Sequence, residues 1–398
     1  MKYTADEVLQ FVAEEDVKFI RMAFCDVNGK QKNISIMPDE LPRAFRWGIP
    51  IDGSAVDGFA DEAHSDLILH PDPATLSFLP WRPEHGRVVR MFCTITTSDG
   101  CPFEMDTRSI LIKAVEEAEK EGVSFDFGSE MEFYLLKRNE NGEPTSIPYD
   151  NAGYMDIAPD DKGENVRREI CLTLEQMGIY PESSHHEAGP GQNEIDFRYA
   201  DAVTAADNAV TFRTVVSTIA ARNGLAADFS PKPFPNQPGS GMHINISARK
   251  SDGSDPLPQI IAGLLAHIRE ITCFLNTSEA SYARFGSHKA PRYISWSREN
   301  RSQLIRVPAS ESSHQRAELR SPDPLCNPYL AYAMIIHAAL DGIRRALPLP
   351  EADNRNMFSV PAEELTAARC LPSSLEEARQ IAAASAFVTG ILPGSLIG

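Results

Sequence analysis

Long apolar runs are missing from this sequence. None approaches the length of a membrane span, and the opening MKYTADEVLQ reads as neither a signal nor a transit peptide. The seven cysteines are odd in number, scattered, and form no C-x-x-C, which points to a reducing, cytoplasmic setting. Positive charge is in short supply, with 38 Lys and Arg against 56 Asp and Glu and a formal charge of −18. That balance argues against nucleic acid as a general partner and is compatible with bound cations. Neither G-x-x-x-x-G-K-[ST] nor G-x-G-x-x-G occurs, so a nucleotide would be held by metal and arginine rather than by a glycine loop at a helix start. With no H-E-x-x-H in the chain, His185–His186–Glu187 carries little by itself. Repeats and low-complexity tracts are absent as well.

What remains is an ordinary globular chain, long enough at 398 residues for two domains and a large core. Thr4 and Glu7 form a capping box ahead of an apolar stripe at Val8, Phe11 and Val12, which predicts a helix. Val17–Phe24 alternates as a strand, turns at Asp26–Gly29 and returns over Lys32–Met37; Arg87–Thr97 is another strand. The stretch from Asp52 to Asp72 is polar, glycine-dotted and too long for a simple turn, which predicts a functional loop. These first hundred residues read as a small α+β domain. Asp106 caps a helix through Glu121 that stops at Gly122 and opens a second domain. Further helices are predicted over Val166–Met177, Ala202–Arg222, Asn327–Ala346 and Ser374–Phe387.

The chemistry begins at Asp126–Leu135, DFGSEMEFYL. Phe127, Met131, Phe133 and Leu135 share one face of a strand; Asp126, Glu130, Glu132 and Tyr134 share the other. Glu130 and Glu132 are then roughly 6–7 Å apart, and at an effective dielectric near 20 they repel by about 2–3 kcal/mol. Such a strand wants a cation, although an isolated E-x-E is more readily a solvated edge. Three other stretches repeat the design: Glu194, Asp196 and Arg198 in NEIDFRY, His243 and Asn245 in GMHINIS, and Arg316, Glu318 and Arg320 in RAELR each alternate with apolar residues. Polar faces gathered from several strands line a cavity, and ligation rich in Glu and poor in His favours Mg²⁺ or Mn²⁺ over zinc. Arg284, Arg301, Arg306, Arg316 and Arg320 cluster late in the chain, where a planar fork suits carboxylates and phosphates; singly, each is as readily a surface salt-bridge partner.

DGSAVDGF (Asp52–Phe59), GSEMEFY (Gly128–Tyr134), SSHHEAGPGQNEIDFRY (Ser183–Tyr199), PGSGMHINIS (Pro238–Ser247), ENRSQLIRVP (Glu299–Pro308) and RAELRSPDPLCNPYLAYA (Arg316–Ala333) are similar, in this order, to the successive signatures of type I glutamine synthetase. The resemblance implies an α+β fold with a small N-terminal β-grasp domain, residues 1–100, and a catalytic domain, residues 101–398, built on a curved antiparallel sheet backed by helices. It implies two stacked hexameric rings, with each active site completed by a neighbour's N-terminal domain. The implied reaction joins ammonia to glutamate with ATP, through γ-glutamyl phosphate. Carried over position by position, Glu132, Glu187 and Glu194 would hold one metal, and Glu130, His243 and Glu318 the second. Glu182 and Ser247 match nucleotide contacts; Arg306, Arg316 and Arg320 match the arginines that steady the ATP phosphates and the transferring group. Arg284 and Arg301 match binders of glutamate and its phosphorylated side chain, Gly239 a main-chain glutamate contact, and His185 a substrate-side histidine. Asp52 matches the carboxylate of the ammonium site, and Asp66 a residue of the same cross-subunit loop.

Some positions depart from the family pattern. Lys289, in GSHKAP, stands where the family usually carries a flap glutamate that helps take a proton from ammonium; a lysine supplies a cation instead of a base. Pro238 and Asn245 replace an asparagine and a histidine, and the chain stops at Gly398, sooner than most members. Phe358 stands where some members carry an adenylylated tyrosine, so that modification has no acceptor here. Two alternatives therefore stand beside glutamine synthesis: a γ-glutamyl ligase for another amine, and a weakly active or silent paralogue acting as a binding or regulatory protein.

Overall fold

The computed structural model describes residues 3–397 except 60, 83–84, 310–314, 362–363, 365 and 367–368, so Gly398 lies outside the described residues. The Thr4–Glu7 capping box opens a helix over Ala5–Glu14. The strands that follow form a six-stranded sheet: β1 (Val17–Cys25), β2 (Gln31–Ile36), β3 (Ile49–Asp52), β4 (Asp66–Pro71), β5 (Ser77–Phe78) and β6 (Arg87–Thr97). Its order is β2-β1-β6-β4-β3, with β1 and β6 parallel and β5 paired on β6. The long polar loop expected from Asp52 to Asp72 is shorter than that. Its last third is β4, whose Leu67 and Leu69 are buried while Asp66, Ile68 and His70 face outward or lie half-covered. A loop reading gives way to alternation once β6 supplies a partner.

A second, ten-stranded sheet carries the rest: β7 (Val123–Arg138), β8 (Pro144–Pro148), β9 (Pro181–His186), β10 (Gln192–Phe197), β11 (Ala200–Asp201), β12 (Leu225–Asp228), β13 (Met242–Lys250), β14 (Trp296–Arg298), β15 (Ile305–Val307) and β16 (Ala317–Leu319). The main path is β14-β15-β16-β13-β7-β10-β9, and β8, β11 and β12 also pair with the long β7. The sheet is mixed rather than wholly antiparallel, because β14 and β15 run parallel. Its apolar face (Phe125, Phe127, Met131, Phe133, Ile195, Ile244, Ile246, Ala317, Leu319) is buried in one large core with the helices over Thr107–Lys120, Ala202–Arg222, Leu257–Leu275 and Pro328–Arg344. Leu257–Leu275 is a helix that the sequence reading leaves unassigned. It packs closely on Pro328–Arg344 where Gly263 meets Gly342; a Cβ at Gly263 would run into the Ala338 carbonyl. The expected terminal helix is broken into Leu375–Ala384 and Ala386–Thr389, because Ser385 leaves helical geometry and recaps the chain by accepting from the Val388 N–H.

Candidate active site

Strand register brings the polar faces together in rows. Across one row Glu132 of β7 pairs with Glu194 of β10, which pairs with His185 of β9. In the next, Asp196 pairs with Glu130 and Glu130 with His243 of β13. In a third, Asn245 pairs with Glu318 of β16 and Glu318 with Arg306 of β15. Direct cross-strand partners sit about 5 Å apart at Cβ, and like charges there destabilise the sheet. Two such carboxylate pairs stand side by side.

The rows floor a cavity of about 520 Å³ lined by Glu130, Glu132, Glu187, Glu194, Asp196 and His243, with Arg284, Arg301, Arg306, Arg316 and Arg320 on its other walls. Candidate ligand atoms of Glu130, Glu194 and His243 lie within 4.8 Å of one another, and so do those of His185, Glu187 and Glu194. His243 Nδ1 is 3.2 Å from Glu130 and 3.9 Å from Glu318. His185 Nε2 is 3.2 Å from Glu187 and 3.8 Å from Glu194. Glu132 accepts from the Gly241 N–H at 2.8 Å and from Gln192 at 3.3 Å. Glu318 is fully buried and takes hydrogen bonds from Arg306, at 2.6 Å, and from Arg320.

Burial pushes the Glu132 and Glu194 carboxyls above their usual range; Glu187 adds to this at Glu132, and Glu132 and Asp196 at Glu194. Burial and Glu130 take Asp196 up to about 6. Glu130 moves the other way: burial would raise it, but hydrogen bonds from His243 and Asn245 outweigh that. Among the described residues, the buried Asp196 Oδ1 has no hydrogen-bond partner. A dense set of carboxylate oxygens with one or two imidazoles, short of protein donors, fits a hard divalent cation.

Arg301 is exposed at the cavity edge, and Arg316 Nε donates to Asn245 Oδ1 at 3.0 Å. Arg284 is buried in the wall and donates to the Ser240, Ser321 and Pro322 carbonyls, so its fork is largely committed to backbone. Gly239 lines the cavity; a Cβ there would strike the Pro231 carbonyl and the Arg284 chain. Glu182, exposed on β9, and Ser247, on β13, lie on the same strands outside the cavity lining. Asp52 and Asp66 stand apart from it. They pair with each other across β3 and β4, both exposed, and Asp52 accepts from the Ser54 N–H and hydroxyl.

Two family models cover nearly the whole chain: the glutamine synthetase beta-Grasp domain over residues 16–98 and the glutamine synthetase catalytic domain over residues 104–398. The chain belongs to the glutamine synthetase family. It is 45% identical to a glutamine synthetase of Methanosarcina mazei, over 97% of this chain and 90% of that protein. It is 44% identical to one of Staphylococcus aureus, over 94% and 87%. Among solved structures, the GmaS/ADP complex superposes with a TM-score of 0.88 at 27% identity, covering 100% of this chain and 93% of that one. Plasmodium falciparum glutamine synthetase shares the fold, with a TM-score of 0.86 at 21% identity over 100% and 95%. The chain is thus a glutamate–ammonia ligase of this family, which uses ATP and divalent metals.

Against the glutamine synthetase pattern, Lys289 lies on the cavity wall, with Nζ 4.8 Å from the centre of the Tyr154 ring. His288 and Lys289 both have left-handed backbone, φ 46° and 67°, a conformation that costs a non-glycine residue about 1 kcal/mol or more. Burial would raise the Glu187 carboxyl, but hydrogen bonds from His185 and the Ala188 N–H, with the Lys289 charge, hold it below its usual range. Asp196, on the polar face read from NEIDFRY, lines the cavity; Tyr154 and Gln192, which sequence reasoning did not single out, line it too. For Gln192 the signal existed, since it shares a face with Glu194 at period two. Tyr154 comes from an irregular segment with no periodicity to read.

Proposed function

We propose that this cavity makes γ-glutamyl phosphate from glutamate and ATP on two divalent cations, Mg²⁺ or Mn²⁺, and then passes the acyl group to ammonia. The observation that carries this is the pairing of Glu132 with Glu194 and of Glu130 with Asp196 on neighbouring strands, an arrangement unfavourable without bound cations. Glu132, Glu187 and Glu194 would hold one metal and Glu130, His243 and Glu318 the other. When bound, the ions would offset the charge of the ATP tail and polarise the phosphoryl oxygens. Arg306, Arg316 and Arg320 would steady the phosphates and transferring group, with Glu182 and Ser247 on the nucleotide side, in line with the ADP held by GmaS. His185, Gly239, Arg284 and Arg301 would orient glutamate. Closing of the 286–290 segment would shield the acyl phosphate from water.

We read residues 1–100 and 101–398 as two domains of a ring-shaped homo-oligomer, in which Asp52 and Asp66 reach a neighbour's cavity rather than their own. Their distance from this chain's cavity lining and their exposure support that assignment. The seven free cysteines suit a reducing cytoplasm, and no helix among the described residues is long and apolar enough to cross a membrane.

The test is Glu132→Ala. Metal-dependent ADP release should vanish while the circular dichroism spectrum is unchanged, because a polar site can rehydrate. Near-normal turnover at saturating Mg²⁺ would show the metal assignment to be wrong. Mixing inactive Asp52→Ala chains with inactive Glu132→Ala chains should restore partial activity in hybrid rings; an active monomer would contradict the shared site.

A further inference from the structure

Behind the acidic rows lies a second polar cluster that touches no substrate-sized space. His186, the last residue of β9, points opposite to its chain neighbours: His185 and Glu187 line the cavity, while His186 is 0% exposed. Its Nδ1 is 2.6 Å from the Glu187 carbonyl and its Nε2 is 2.9 Å from Asp150 Oδ1. Carbonyl and carboxylate oxygens only accept, so the ring is held between two acceptors, one on each nitrogen. Asp150 Oδ1 also accepts from the Gly191 N–H at 2.9 Å, and its Oδ2 from the Lys162 N–H at 3.0 Å. One carboxylate therefore grips the chain just before and just after the turn at 187–190 that presents Glu187.

A second pair backs the first. Arg167 is bonded to Asp161 and donates to Asn193 Oδ1 at 2.7 Å, while Asn193 donates to the Gly191 carbonyl at 2.9 Å. Ligand atoms of Asp150, Asp161 and His186 lie close enough to hold a metal, but Arg167 already pairs with Asp161, and Asp150 is taken up by His186 and the Gly191 and Lys162 N–H groups. This cluster is complete in itself, unlike the rows in front of it.

We propose that the Asp150–His186 pair is a positioning device for Glu187: it fixes the backbone on which that carboxylate stands, and through it the affinity of the adjacent metal. The inference rests on Glu187 being a metal ligand. Losing partners that orient a ligand from behind typically weakens metal binding roughly 10–100-fold.

The experiment measures Mn²⁺ binding to the full-length oligomer by electron paramagnetic resonance, alongside kcat at saturating Mn²⁺. Asp150→Ala should weaken one class of Mn²⁺ site about tenfold or more, with kcat at saturation changing much less. Asp150→Asn, whose carbonyl oxygen can still serve Gly191 and His186 but whose amide nitrogen then faces the Lys162 N–H, should lose less Mn²⁺ affinity than Asp150→Ala. His186→Gln, which leaves one acceptor unserved, gives a second reading should Asp150→Ala not fold, and should weaken Mn²⁺ binding about fivefold or more. Leu174→Ala, a cavity in the same core, should lower Tm without moving Mn²⁺ affinity. Parent-like affinity in Asp150→Ala or His186→Gln, or an equal loss in Leu174→Ala, overturns the proposal. Glu187→Gln separates the two levels. If it weakens Mn²⁺ binding and the Asp150 and His186 variants do not, only the positioning role fails; if it leaves Mn²⁺ affinity intact, the ligand assignment fails and the positioning role with it.

Discussion

Two of the buried clusters of charge among the described residues are built on opposite plans. Where the first sheet meets the helices over Thr107–Lys120 and Ala202–Arg222, Arg108 donates from Nε and Nη2 to the two oxygens of Asp207, both at 3.0 Å, and from Nη2 to Asp72 at 2.9 Å. Tyr329 donates to Asp207 at 2.6 Å, and Arg90 bonds Thr211 while lying 4.0 Å over the Phe92 ring. Arg108 there meets two carboxylates; desolvation opposes its charge, and Asp207 and Asp72 outweigh that. The cavity floor sets carboxylate beside carboxylate instead. Burial of charge is thus no sign of function by itself. What marks the cavity is like charge held against like, a cost the fold sustains only where something else arrives to offset it.

The largest effect should come from breaking the seam. Asp207→Ala leaves the buried Arg108 with the half-exposed Asp72 alone, and losing one partner of a buried pair costs about 3–5 kcal/mol. Urea denaturation should show that loss, with ADP release per folded chain little changed. Glu194→Gln, equally buried, should do the reverse: metal-free stability is kept or raised, while metal-dependent ADP release collapses. If Glu194→Gln destabilises the protein as much as Asp207→Ala does, the two clusters are not different in kind.

A smaller effect should come from Lys289, the cation that the cavity wall sets against Tyr154 and near Glu187. Lys289→Glu reverses one charge close to where an ammonium must enter. At an effective dielectric near 20 this is about 2–3 kcal/mol per charge at 6–8 Å before screening. The KM for ammonium should fall well over tenfold, with the KM for ATP little moved, when glutamine formation is measured at matched glutamate. An unchanged ammonium KM would mean that Lys289 stands outside the acceptor's path.

Much of this was legible before any coordinates, because alternation is local. DFGSEMEFYL sorts its own side chains, and the rows follow for Glu130, Glu132, Glu194, His243 and Glu318. Register is not local: nothing near Glu194 says that it will face Glu132 rather than Glu130, since that depends on strands far apart in sequence. The helix over Leu257–Leu275 keeps a polar edge at Gln259, Arg269 and Glu270 opposite its buried side, so its periodicity was there to be read. Asp52 offered only its resemblance, being exposed and bonded to its own turn. His185–His186–Glu187 carries little as a motif, and alternation separates its two histidines, with His185 in the cavity lining and His186 buried behind it.

The smallest effect reads the same contrast through pH. Asp196, ordinarily near 3.8, is taken up to about 6, and Glu132 and Glu194 are displaced in the same direction. A carboxyl whose folded pKa lies above its unfolded value binds a proton more readily in the native state, so stability rises as pH falls through the folded pKa towards the unfolded one. For Asp196 that window runs from about pH 6 to about pH 4. Glu130 and Asp150, held below their usual range, give up their contribution only further down, at or below the ordinary carboxylate range. Metal-free protein should therefore melt about 1–3 °C higher near pH 5.5 than near pH 7.5, a gain of about 1–2 kcal/mol. Saturating Mg²⁺ should flatten the trend, because the cation does at neutral pH what the proton does in acid. Asp196→Asn should flatten part of it without metal. A metal-free Tm that falls steadily from pH 7.5 to 5.5 would mean that the carboxylate rows are not held against their own repulsion.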